Sequence, residues 1–185
     1  MKKPYNMVLL AVLFLAGVAG GYLVFMKVFP HDMPTEGPDE SLVVQGDLFS
    51  LRMYYPVNEG LLMEERKLPR RTAQLAIAEA TVEEFLKGPV GGVIASVPRD
   101  AKLLGLYKDM DQILYVDLSD EFRRNFQGDV YTEFFLLKGL YESLISNVPD
   151  IQDVKVLIEG KEIETLGGHL YLLYPLKDTV SYELE

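Results

Sequence analysis

Few side chains in this sequence have the chemistry for catalysis, and their spacing decides what each could do. His169 follows Gly167-Gly168 and precedes the apolar run 170–174 in the stretch TLGGHLYLLYPL. A histidine so placed could be a general base, a metal ligand or the polar end of a tight turn. The 185-residue chain has one other histidine, His31, and no cysteine. That excludes cysteine nucleophiles, cysteine-ligated zinc, iron–sulfur clusters, disulfides and lipid modification of a cysteine in this chain. No Gly-x-Ser-x-Gly elbow accompanies His169: Ser96 sits in ASVP and Ser119 in DLSD. The turn reading is therefore favoured. Two glycines bend the backbone with little steric restriction, and imidazole can bond the groups the turn leaves open.

Acidic residues are the other candidates. Asp109, Asp111, Asp117 and Asp120 fall at positions 1, 3, 9 and 12 of a calcium-loop register, but Leu114 stands where the sharp turn needs glycine. Asp117, Asp120 and Glu121 could do acid–base work. With 28 acidic residues in the chain, such closeness has little specificity, and a solvated strand end is the simpler reading. A ligand-binding or cell-wall-acting domain with a carboxylate site at 117–121 is the alternative. No catalytic residue, cofactor or metal ligand is assigned, and the chain is read as a non-enzyme.

The elements around these residues fall into three regions. Residues 1–29 hold an uncharged stretch, 7–26, as long as a bilayer core is thick. Lys2 and Lys3 precede it, and after Lys27 no Lys or Arg occurs until Arg52. The positive-inside rule predicts a single-pass signal anchor in a bacterial cytoplasmic membrane, N-terminus inside, the rest extracytoplasmic. Gly17 and Gly21 make a G-x-x-x-G pair suited to close helix packing. Residues 30–46 carry three prolines, four acids and no basic residue, a composition that predicts an extended linker. Setting aside Lys2, Lys3 and Lys27, 15 basic residues face 28 acidic ones, a net charge of −13. Nucleic acid and anionic membrane surfaces are unsuitable partners for such a chain.

Residues 47–185 read as one domain. Alternation at Phe49, Leu51, Met53 and Tyr55 predicts a strand, with a return over 61–66. A helix capped by Thr72 buries Leu75, Ala78, Val82, Phe85 and Leu86 and ends at Gly88-Pro89. Residues 102–108 and 113–118 predict a hairpin. A second helix spans 132–147, with Gly139 mid-helix at about 1 kcal/mol. Alternation at Val154, Val156 and Ile158 predicts another strand, with returns over 162–166 and 170–174. Two helices with one apolar face each would cover one face of a mixed sheet, an α+β two-layer sandwich.

The ordered set FLKGP, VP, VDLS, IEGK and TLGGH resembles the GerMN domain of sporulation and germination proteins over 47–176. Gly88, Pro89, Pro98, Asp117, Ser119, Gly167, Gly168 and His169 match its signature and are read as turns and caps. The resemblance implies a fold similar to ring-building modules, no enzymatic activity, and a place among other envelope proteins. A homo-oligomer is one assembly compatible with it.

Overall fold

The computed structural model describes residues 47–58 and 60–181, together with the single positions Phe14, Val18 and Ala19. The expected membrane span with Gly17 and Gly21, and the expected linker, lie outside the described residues. Among the described residues no helix is long and apolar enough to cross a membrane.

Strands β1 (Leu48–Val57) and β2 (Gly60–Pro69) form an antiparallel hairpin that turns at Asn58, where φ is 48°. The alternation in β1 works as expected: Leu51, Met53 and Tyr55 are buried. Helix α1 (Gln74–Lys87) follows. Its N-cap is Ala73 rather than Thr72, with no side-chain cap bond. Ala78, Val82 and Phe85 are buried as expected, whereas Leu75 is half exposed.

Strands β3 (Leu103–Lys108) and β4 (Ile113–Leu118) pair antiparallel. After a short turn of helix, α2 (Glu121–Arg124), comes the long helix α3 (Val130–Asn147) and then β5 (Asp153–Ile158), parallel to β4. A parallel return needs a crossover, and α2 with α3 supplies it. Asp129 caps α3: its Oδ1 accepts from Thr132 N at 2.9 Å and Thr132 Oγ1 at 2.8 Å. These bonds, the backbone one foremost, hold its carboxyl below the usual range.

The fold is α+β, but the strands make two sheets, β1-β2 and the mixed β3-β4-β5. One sheet was expected; the outer edge of β1 explains two. Helix α3 occupies that edge with side chains. Ser143 Oγ accepts from Tyr54 N at 2.9 Å, Asn147 Oδ1 accepts from Arg52 N at 2.9 Å, and Asn147 Nδ2 donates to Arg52 O at 2.6 Å. No strand can pair where a helix already satisfies the backbone. Gly139 permits the approach: a Cβ there would lie 2.5 Å from Tyr54 O.

The C-terminal segment departs most from expectation. Residues 162–166 make no strand; among the described residues the turn before them shows an isolated bridge between Ile158 and Lys161. Residues 170–174 are not a strand either. Leu172 is buried while Tyr171 and Tyr174 are exposed, so the alternation is real. The segment nevertheless lacks a strand partner: Leu172 N donates to Glu164 O at 2.8 Å, and Leu173 O is taken by Lys155 Nζ. Pro175, expected to close a strand, instead precedes helix α4 (Leu176–Ser181).

Candidate functional site

The TLGGH turn closes over a residue that belongs to no motif of the sequence. Glu133, in the first turn of α3, is fully buried. Its Oε1 accepts from Leu166 N at 3.1 Å and Gly167 N at 2.9 Å. Its Oε2 accepts from His169 N at 3.1 Å and faces His169 Nδ1 at 2.8 Å. A carboxylate facing three backbone donors gains most if the ring nitrogen also donates. His169 therefore serves the carboxylate with both its backbone and its ring. Gly168, at φ +94°, supplies the turn, and Gly167 packs where a Cβ would meet Phe126 at 2.4 Å. One sequence signal does point to Glu133: it lies four residues before Leu137, on the buried stripe of α3, where a lone charge needs partners.

The other signature residues also fasten backbone. Gly88, at φ 76°, caps α1 with its N–H on Phe85 O, and its own carbonyl accepts from Arg66 Nη2 at 2.7 Å. Pro89 follows in the loop, and Val90 N donates to Glu64. Buried Pro98 precedes the turn at Arg99 and Asp100. Ser119 brackets the start of β3, donating from N to Lys102 O and accepting at Oγ from Lys102 N. Asp117 Oδ1 accepts from Gly160 N at 2.7 Å and so holds the IEGK turn.

Asp117 and His169 are thus not brought to one site. Asp120 pairs with Arg123 and Arg124, and Glu121 with Arg124. Hydrogen bonding from Ser119, with smaller contributions from Arg124 and Lys102, lowers the Glu121 pKa. Asp109 Oδ1 accepts from Asp111 N and Ile113 N, an Asx turn in the β3–β4 connection. Among the described residues no group of three or more His, Asp or Glu side chains converges as a metal site would require.

His169→Ala should cost about 1–3 kcal/mol, because it removes one of four donors from a buried acceptor. His169→Asn should recover part of that loss, and Gly168→Val should destabilise by strain. Urea unfolding of residues 47–185 reads all three. A His169→Ala variant as stable as the parent but deficient in binding would reassign the ring to function.

A family profile named Germane, described as sporulation and spore germination, matches residues 52–164. The chain belongs to the Germane family. The likeness to GerMN domains extends to solved structures. Against the tandem GerMN domains of the sporulation protein GerM from Bacillus subtilis the TM-score is 0.54 at 20% identity, covering 71% of this chain and 48% of that one. This chain thus spans about half of the tandem protein. The first GerMN domain of the same protein gives 0.50 at 20% identity, over 68% of this chain and 94% of that one. A candidate lipoprotein from Clostridium perfringens gives 0.51 at 20% identity, over 71% and 88%. No curated protein matches the chain. The Germane match includes Asp117, Ser119 and Glu133 but stops short of residues 165–169, which close over Glu133.

Proposed function

We propose that this Germane chain is a non-enzymatic domain of the bacterial cell envelope that works by binding other envelope proteins. The Germane match carries the reading. A GerM-like domain described for sporulation and germination, and likeness to a candidate lipoprotein, favour the envelope over the cytosol. The geometry agrees in kind. His169, the one histidine within residues 47–185, is engaged with Glu133, and the acids at 117–121 hold turns and helix ends. A ligand-binding or cell-wall-acting site there draws no support from these contacts. Residues 7–26 anchor the chain in the membrane, residues 30–46 set the domain's distance from it, and a sheet edge or helix face makes the contact, to other proteins or to a second copy.

Crosslinking in native membranes followed by purification under denaturing conditions tests the partner. Recovery of the chain alone, with no adduct, would overturn the interaction reading. Orientation is tested separately. Alkaline phosphatase fused after Glu185 should be active, and a reporter active only in the cytoplasm should be silent, as Lys2 and Lys3 before the apolar run require. The reverse pattern would place the domain inside the cell.

A further inference from the structure

The four sheet edges among the described residues are managed differently. The edge of β1 is closed by Ser143 and Asn147 of α3. Strand β5 is buried from Val154 to Ile158 and tied to the C-terminal segment through Lys155 and Asp153. The outer edge of β2 carries Glu64, Glu65, Arg66 and Lys67 in succession, the charged pattern that discourages strand addition. Strand β3 has none of these protections. It reads LLGLYK, uncharged until Lys108.

Its backbone is also available. Asp109 N donates to Ile113 O at 3.1 Å. Alternation along an antiparallel ladder then points the groups of Tyr107 and Gly105 toward β4, and those of Leu106 and Lys108 outward. The register shift lies between Leu103 and Gly105; from Gly105 to Lys108 the pairing is regular. Outside the ladder, no backbone bond among the described residues engages Leu106 or Lys108.

A groove runs beside this edge. Its wall is the exposed side of α1, with Leu75, Glu79 and Glu83, and its floor is β3 from Leu103 to Leu106. The cleft there measures about 280 Å³ and continues, sharing Glu83 and Leu103, into a second of about 530 Å³. Leu75, Leu104 and Tyr107 are each about half exposed. Glu79 meets Arg71 at 3.4 Å with both side chains exposed, and Glu83 has no ion pair among the described residues. Lys87 and Lys102 lie in the second cleft beside Glu83, whereas the lining of the first carries Glu79 and Glu83 and no basic residue.

We propose that this groove docks an extended segment of a partner protein, which adds to β3 as a fourth strand and turns basic side chains toward Glu79 and Glu83. The inference deepens the interaction reading above and rests on it. Main-chain bonds to an open edge give affinity with little sequence demand, and the groove beside it selects side chains by charge. The partner's alternation follows: basic toward α1, apolar over Tyr107.

The test uses the full chain in detergent micelles and a labelled probe, acetyl-Lys-Val-Lys-Val-Lys-Val-amide. Saturable binding is expected, with slowed amide exchange at Leu106 and Lys108. Glu79→Lys with Glu83→Lys should weaken it at least five-fold, and both residues are exposed, so the fold is spared. A probe N-methylated at its valines loses the donors on one edge and should lose binding if that edge faces β3. One methylated at its lysines serves as the opposite edge. Binding that survives both methylations, or protection absent from β3, would overturn the groove. So would failure of the probe to bind. Adducts in native membranes from a photocrosslinker elsewhere on the domain, with none from Leu104, would remove the groove but leave the interaction reading standing.

Discussion

Glu133→Ala should destabilise the domain by about 4 kcal/mol, more than either His169→Ala or Gly139→Ala. Removing the carboxylate strands the N–H groups of Leu166, Gly167 and His169 and leaves the His169 ring without its partner. Each donor left without an acceptor in a buried turn costs about 1–3 kcal/mol, and three backbone donors lose theirs at once. Glu133→Gln is the more telling variant. Its amide has nearly the same shape, but its NH₂ would point at donors where an acceptor is required. A loss of about 2 kcal/mol or more is expected, from urea unfolding of residues 47–185. If Glu133→Gln unfolds at the parent midpoint, the carboxylate is not what closes the turn.

Gly139→Ala should be the next largest, and its sign is diagnostic. In an open helix the swap would stabilise by about 1 kcal/mol, since Ala is the better helix former. Here the added methyl would sit 2.5 Å from Tyr54 O, with Leu61 Cδ2 at 3.2 Å and Phe85 Cε2 at 3.4 Å. Tyr54 cannot yield cheaply, because its N–H is held by Ser143 on the same helix. Overpacking of this kind costs typically 1–3 kcal/mol, so a net loss of about 2 kcal/mol is expected. Thermal melting that rises instead would mean α3 does not lie so close to β1.

Local signals account for what the sequence reveals. The β3–β4 hairpin shows in the alternation of Leu114, Val116 and Leu118, and α3 in the spacing of Phe134, Leu137, Tyr141 and Leu144, because each is decided by one buried face. The ordered fragments from FLKGP to TLGGH point to the family, and the match over 52–164 bears that out. What fails to show depends on distant partners. The α+β class is legible, yet the division into two sheets hangs on Ser143 and Asn147, polar residues whose role exists only once α3 meets β1. Alternation at 170–174 predicts a strand because burial alone is visible, while the carbonyl of Leu173 has gone to Lys155. The glycines before His169 announce a turn, but the purpose of that turn lies 36 residues upstream in Glu133.

That separation sets a timetable for a nascent chain. Glu133 leaves the ribosome 33 residues before Leu166, the first residue that can bond its carboxylate. At about 5–20 residues per second, roughly 2–7 s pass in which α3 holds an acid with none of its native donors. Until then water must keep the end of α3 open. The same lag applies to a chain threaded through a translocase, where the acid would reach the far side well ahead of its clasp. Helix α3 can therefore pack its Leu137–Leu144 end early, but its first turn locks only when TLGGH arrives. A turn made late in the domain is the part that seals the start of α3.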